Sequence, residues 1–235
     1  MTARDPKVIQ ALFNEVSPTY DLLNRILSLG LDQRWREAAA REAGEGQDGE
    51  TRVDLCGGTG DLATALAVRF PRGRVVLVDF AEAMLRLAQR KRAGSGEGGR
   101  VHPVCADALT LPLPDQSCAA ATAGFGVRNL ADTRAGLAEA YRVLRPGGRV
   151  AILEFMRPQG PLAPLKRLLL RYGVPLIVLC VARRHAAAYR YLTESIVSYL
   201  STDEMVAVLR EVGFVDITVR HQPLGYASII RGTRP

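Results

Sequence analysis

The feature that most narrows what this chain can fold into is a rhythm that begins at residue 52. Five short apolar runs, "RVDLCG" (52–57), "RVVLVDF" (74–80), "VHPVCAD" (101–107), "CAAATAGF" (118–125) and "RVAILEF" (149–155), occupy the middle of the chain. Segments of helical spacing lie among them: "DLATALAVRF" (61–70), "AEAMLRLAQRKR" (81–92) and "TRAGLAEAYRVLRPGG" (133–148). Continuous apolar runs of this length suit strands buried on both faces, and strand alternating with helix predicts parallel strands joined by right-handed crossovers. The Pro-Gly-Gly at 146–148 predicts a helix stop, and "AGSGEGG" (93–99) a loop. Further on, "STDEMVAVLREVGF" (201–214) reads as a helix capped by Ser201 or Thr202 and stopped by Gly213. Two strands follow, "VDITVRHQP" and "YASIIRG", with a turn at Leu224-Gly225. The expected fold class is α/β: a seven-stranded, mostly parallel sheet with one antiparallel edge strand and helices on both faces.

A chain of 235 residues with 48% hydrophobic and 23% charged residues has the composition of one ordinary globular domain. Residues 5–40 carry Phe13, Val16, Tyr20, Leu23 and Leu27 at helical spacing, with Pro18 at a start or break. Residues 156–200 fit neither rhythm. They are apolar and basic together and read as an insertion after the fifth strand. No apolar run reaches the ~18 residues of a membrane span, and "MTARDPKVIQ" has no secretion-signal core, so a cytoplasmic protein is expected. Cys56, Cys105, Cys118 and Cys180 lack metal or disulfide spacing and read as reduced core thiols. The net charge of +7 suits nucleic acid, anionic lipid or nothing specific.

Ligands of open parallel sheets bind beyond the carboxyl ends of the strands, where strand order reverses. Here the first strand–turn–helix carries three glycines, Gly57, Gly58 and Gly60. Two ligands compete for it. Gly58-Thr59-Gly60-Asp61-Leu62-Ala63 satisfies the dinucleotide fingerprint, with Asp79 placed for ribose hydroxyls, but that pattern alone is weak. The alternative is S-adenosylmethionine, an adenosine sulfonium without phosphate. Asp54 and Asp61 flank the glycines, where they would repel a pyrophosphate and suit an ammonium and a sulfonium. Asp107 ends the third strand, where an adenine amino group could be met. The combined pattern favours the methyl donor.

With those residues in view, the chain resembles the C-methyltransferases of ubiquinone and menaquinone biosynthesis. The resemblance rests on "LFNEVSPTYDLLNRILSLGLDQRWR" (12–36), "DLCGGTGDLA" (54–63), "GFGVRNLAD" (124–132) with "YRVLRPGGRVAILEF" (141–155), and "AYRYLTESI" (188–196). It implies a Rossmann-like class I methyltransferase fold over a single domain, 1–235. Residues 1–45 then form a helical lid segment, and 156–200 cover the acceptor site. The implied cofactor is S-adenosylmethionine, leaving as S-adenosylhomocysteine. The expected cofactor-binding residues are Asp54, Gly58, Thr59, Gly60, Asp79, Phe80, Asp107 and Ala108. The implied reaction is C-methylation of a polyprenylated quinol, demethylmenaquinol favoured, with no metal.

Arg128, Asn129 and Tyr20 are the candidate catalytic residues. Arg128 stays protonated, so it suits stabilising a quinolate rather than taking a proton; the competing reading is a structural tie from Arg128 to Asp132. Tyr20, Asp21 and Asn24 lie together on one segment and suggest a lid, and His185 is a weaker candidate base. The stretch "LKRLLLRYGVPLIVLCVARR" (165–184) flanks apolar residues with Lys166, Arg167, Arg171, Arg183 and Arg184, which suits peripheral contact with an anionic membrane, on the inner face of the cell membrane. The rival readings are an NAD(P)-dependent oxidoreductase and another small-molecule S-adenosylmethionine-dependent methyltransferase. A DNA-amino methyltransferase would show Asn/Asp-Pro-Pro-Tyr where "GFGVRN" stands, so no nucleic-acid partner is expected.

Overall fold

The computed structural model describes residues 9–10, 20–44, 49–93, 98–173, 193–223 and 225–235. Its strands are β1 (Thr51–Leu55), β2 (Arg74–Asp79), β3 (Val101–Cys105), β4 (Cys118–Gly124), β5 (Leu144–Phe155), β6 (Val215–His221) and β7 (Ala227–Thr233). Its helices are α1 (Tyr20–Leu27), α2 (Asp32–Glu42), α3 (Asp61–Arg69), α4 (Glu82–Arg92), α5 (Thr133–Val143), α6 (Ala163–Leu168) and α7 (Thr202–Val212). All seven strands join one sheet in the order β3-β2-β1-β4-β5-β7-β6. The first five are mutually parallel, while β7 runs antiparallel to both β5 and β6. The expected reversal therefore falls at the predicted end of the sheet, with β7 one place inside the rim strand β6.

Strand order reverses between β1 and β4, which makes the crevice beyond their carboxyl ends the place for a ligand. Alanines at 120, 121 and 123 keep β4 slim where both faces are covered. On one face Trp35, Leu62, Leu66, Leu85 and Ala88 bring α2, α3 and α4 onto the sheet. On the other, Leu137, Val143, Met205 and Leu209 bring α5 and α7 against Val53, Leu55 and Ile152. Phe125 and Phe155 stack with centroids 4.5 Å apart, and Trp35 stands 6.5 Å from each.

Three local expectations change. The helix over 133–148 ends at Val143, because Pro146 drives Arg145 out of the helical region and Leu144 already pairs with Cys118 before an irregularity that absorbs the Pro-Gly-Gly. Cys105 is exposed rather than a core thiol, since β3 is a rim strand, the position that also tolerates Pro103. The continuous helical pattern of 5–40 is interrupted after α1 by a turn at Leu29-Gly30 (φ +52° and +79°). At α7 the cap is Ser201: its hydroxyl accepts from the Glu204 amide at 3.3 Å and Glu204 accepts from the Ser201 amide at 2.7 Å. Pro18, Cys180 and His185 lie outside the described residues.

Candidate active site

After β1 the chain reverses through Cys56 (φ +49°), Gly58 (φ +55°) and Gly60 (φ +82°) before α3 begins. The crowding shows at Gly57, where a Cβ would stand 2.1 Å from Leu77 Cδ1 and 2.8 Å from Asp54 Oδ2. Asp79, at the end of β2, locks the turn from below. Its Oδ2 accepts from the Gly58 amide and its Oδ1 from the Ala81 amide, each at 2.8 Å. Burial pushes the Asp79 carboxyl up to about 6, against the pull of those amides. Opposite, Gly126 touches Cys56 so closely that a Cβ there would lie 2.3 Å from Cys56 Cβ.

These elements border an open recess. Cys56, Gly58, Asp79 and Phe80 form one side, Met84, Asp107, Ala108 and Leu109 the floor, and Phe125, Gly126, Asn129 and Leu130 the far wall. Asp107 is held by accepting from the Leu109 amide at 2.9 Å. The wall is thus mostly apolar with two carboxylates, and no Lys or Arg is among the described residues that line it.

Of the residues expected from sequence, Gly58, Asp79, Phe80, Asp107, Ala108 and Asn129 meet at this recess. Asp54, Thr59, Gly60 and Arg128 do not line it. Asp54 is fully buried beneath the turn, with Oδ1 accepting from the Thr122 hydroxyl at 2.7 Å. Burial raises its carboxyl to about 7, offset in part by that hydroxyl and by Arg36. Gly60 caps α3 in a left-handed conformation. The Tyr20 side chain lies outside the described residues, although its backbone begins α1.

Thr59 belongs to a polar cluster on the rim. Its hydroxyl donates to Asp21 Oδ1 of α1 at 2.6 Å, Lys91 Nζ of α4 reaches Asp21 Oδ2 at 2.8 Å, and the same Nζ contacts Asp61. Arg36, buried in α2, lies 3.8 Å from Asp32 and 3.9 Å from Asp61, with its guanidinium 5.2 Å over the Phe125 ring. Asp61, expected beside a ligand ammonium, is engaged with the protein cations Lys91 and Arg36. The segment holding Asp21 does pack on the glycine turn, and Gln10 donates to the Phe80 carbonyl at 2.6 Å on the recess edge.

Arg128 does not line the recess, and its carboxylate partner is Glu154 rather than Asp132. It is sealed in the wall behind Asn129, where Nη1 donates to Glu154 Oε1 at 2.6 Å. Asp132, its expected partner, instead caps α5 by accepting from the Ala135 amide at 3.0 Å. Glu154 and Arg36 were not singled out by sequence reasoning. The available signal was physical: Glu154 interrupts the apolar run "RVAILEF", and a carboxylate in a doubly covered strand requires a partner.

Comparison with known proteins decides what such a site belongs to. The model of the ubiE/COQ5 methyltransferase family matches residues 1–234. The chain belongs to the ubiE/COQ5 methyltransferase family. A demethylmenaquinone methyltransferase of Thermus thermophilus is 41% identical over 227 residues, covering 95% of this chain and 100% of the relative. A ubiquinone/menaquinone biosynthesis C-methyltransferase of Geobacter sulfurreducens is 38% identical over 228 residues, covering 96% and 88%. Among solved structures, a putative S-adenosylmethionine-dependent methyltransferase of Methanococcus maripaludis superposes with a TM-score of 0.68 at 18% identity, covering 100% and 97% of the two chains. A Haemonchus contortus phosphoethanolamine N-methyltransferase in complex with S-adenosylmethionine gives 0.65 at 16%, covering 86% and 52%.

Membership makes this ubiE/COQ5 chain a methyltransferase that uses S-adenosylmethionine. The recess fits that donor. A diphosphate would face Asp79 and Asp107 with no cation among the described lining residues, whereas a phosphate-free adenosine sulfonium gains from both carboxylates. Asp79 would hold ribose hydroxyls, and the Asp107–Leu109 segment with Met84 would flank adenine.

Proposed function

We propose that the chain methylates a ring carbon of a polyprenylated quinol, with demethylmenaquinol as the favoured acceptor over a benzoquinol. The observation that carries this reading is the acid-lined recess at the glycine turn of a ubiE/COQ5 chain, with no Lys or Arg among the described residues that line it. The names of relatives at 38–41% identity over most of both chains support the acceptor class. The bound donor supplies an electrophilic methyl group. The quinol supplies electron density once its hydroxyl proton is lost; the ring carbon bonds to the methyl carbon, the carbon–sulfur bond breaks, and the ring C–H proton leaves to restore aromaticity.

The chain's own contribution is to position and to exclude water. Phe80, Met84, Leu109, Phe125 and Leu130 give the recess a dry lining, which favours a step in which opposite charges cancel. Asn129, the expected catalytic residue on the lining, offers its carboxamide to the quinol oxygen. The test is incubation with a labelled methyl donor and each reduced acceptor, then location of the label. Label on a ring carbon of demethylmenaquinol supports the reading; label on oxygen, or none on either quinol, overturns it.

The acceptor's tail calls for a membrane-facing surface. Leu162, Leu165, Leu168, Leu169 and Tyr172 on and around α6 are 48–62% exposed, interleaved with Lys166, Arg167 and Arg171. No helix among the described residues is long and apolar enough to cross a membrane. We propose that this patch lies on the anionic inner face of the cell membrane, with its leucines at the acyl boundary. Flotation with phosphatidylglycerol vesicles at low salt should carry the protein upward, and Leu165→Glu with Leu168→Glu should abolish it. Absence of the wild-type protein from the vesicle fraction ends the membrane reading.

A further inference from the structure

The Arg128–Glu154 pair does more than neutralise itself. Three donors converge on the Glu154 carboxylate at the end of β5: the Arg128 guanidinium at 2.6 Å, the Phe155 amide at 2.8 Å and the Arg128 amide at 3.1 Å. The same guanidinium donates to the Phe125 carbonyl and, through Nε, to Ser195 Oγ at 3.4 Å. One buried cation thus joins the end of β5, the loop after β4 and the helical turn at 193–198.

Stability alone is a poor reason for the pair. Two charges 1% and 0% exposed are costly to desolvate, and apolar replacements of such pairs are often neutral or stabilising. The loop they hold is strained: Phe125, with φ +61°, is a bulky residue in the left-handed region, and it forms the recess wall with Gly126 and Asn129. Strain kept at a ligand wall needs surroundings that over-determine it. Here the Phe125 amide donates to the Leu153 carbonyl at 2.8 Å while Arg128 fixes the Phe125 carbonyl.

We propose that Glu154 is a positioning residue that, through Arg128, makes the post-β4 loop and the 193–198 turn a single unit and holds Asn129 in register for methyl transfer. Its kinetic arm rests on the quinol methyltransferase reading; its structural arm does not. Glu154→Gln keeps an acceptor oxygen for the amides and removes the charge that orders the guanidinium.

The test compares wild type, Glu154→Gln, Glu154→Asp and Ser195→Ala. In Glu154→Gln, kcat should fall about 100-fold, the scale of small misplacements of reacting groups, while the Kd for S-adenosylhomocysteine changes less than about threefold. Glu154→Asp should restore part of kcat. Amide hydrogen exchange should quicken together in 124–131 and 193–198 in Glu154→Gln, and more weakly in both segments in Ser195→Ala. A folded Glu154→Gln with wild-type kcat, or a loss matched by equal weakening of S-adenosylhomocysteine binding, overturns the proposal. So does exchange that quickens in one segment alone, in either Glu154→Gln or the milder Ser195→Ala. If the wild type methylates no quinol, the acceptor reading fails while the exchange result still decides the coupling.

Discussion

Two cation–carboxylate assemblies flank the recess, and they obey different physics. On the rim, Lys91 and Asp21 are 37% and 39% exposed, and Asp61 is 11% exposed. In the wall, Arg128 and Glu154 are 1% and 0% exposed. Water can replace any partner on the rim, so α1 can part from the glycine turn without stranding a charge. Water has almost no access to Arg128 to take the place of Glu154 if that carboxylate is lost. The contrast teaches which border of the site is free to move: the side bearing the N-terminal segment is fastened by exchangeable contacts, and the side bearing Asn129 is fixed.

The severest way to break this comparison is Glu154→Ala. It leaves the Arg128 guanidinium buried beside a void, and loss of one member of a buried pair costs about 3–5 kcal/mol. Urea unfolding should show that loss; a cost under about 1 kcal/mol would place the wall in the same class as the rim. Next comes Gly126→Ala. The new methyl meets the Cys56 Cβ, backbone-anchored on its own strained turn, so both sides of the recess must part. Overpacking of this kind costs about 1–3 kcal/mol, and S-adenosylhomocysteine binding should weaken with it by about tenfold, the equivalent of 1.4 kcal/mol. Calorimetry and thermal unfolding measure the two losses together.

The rim and the wall also differ in how they are written in the sequence. The glycine-turn side of the recess is nearly contiguous: a strand, a glycine turn and an acid at or just past the end of each of the next two strands, so the lining residues Gly58, Asp79, Phe80, Asp107 and Ala108 could be named before any coordinates. The acid count alone misleads within it. Asp54 and Asp61 flank the glycines as expected, yet one is packed beneath the turn against Thr122 and the other is engaged by Lys91, because strand alternation and helix phase, not proximity in sequence, decide where a side chain points. The wall is assembled from 125–128, 154 and 195, separated by up to 70 residues, and no local spacing connects them. Arg128 could be read from its motif, but its partner could not, since pairing across β4, β5 and a returning helix is a tertiary fact. Family resemblance supplied the class of chemistry, and the described residues on the far wall supplied the geometry that the motif lacks.

Asp79 gives a subtler test, through pH. Its folded pKa, about 6, lies above the ordinary carboxylate value near ~3.9. A raised carboxyl contributes stability that is fully present below its unfolded pKa and is lost as pH rises through the folded one. Asp54, at about 7, acts in the same direction. The protein should therefore lose stability between about pH 4 and pH 7 through these two groups. A cationic donor prefers ionised Asp79, so its affinity should run the opposite way, tightening up to about tenfold from pH 5 to pH 7 and then levelling. Asp79→Asn should flatten the binding profile; a profile that keeps its slope in that variant would assign the pH dependence elsewhere.

Lys91→Ala is the mildest change and the one that most directly sharpens the comparison. It removes the cation shared by Asp21 and Asp61, yet Arg36 remains 3.9 Å from Asp61 and Thr59 still donates to Asp21. Asp21 has access to water and Asp61, 11% exposed, keeps Arg36, so no charge is stranded and the cost should stay below about 1 kcal/mol. What should change is the fastening of α1: protease nicking and hydrogen exchange in 20–27 should quicken, with 124–131 unchanged. Raising salt should mimic the substitution in the wild type and add little in the variant, because screening acts on the same exposed pairs. A loss as large as that of Glu154→Ala would mean that the rim is as fixed as the wall, and the division between a releasable border and an immovable one would fail.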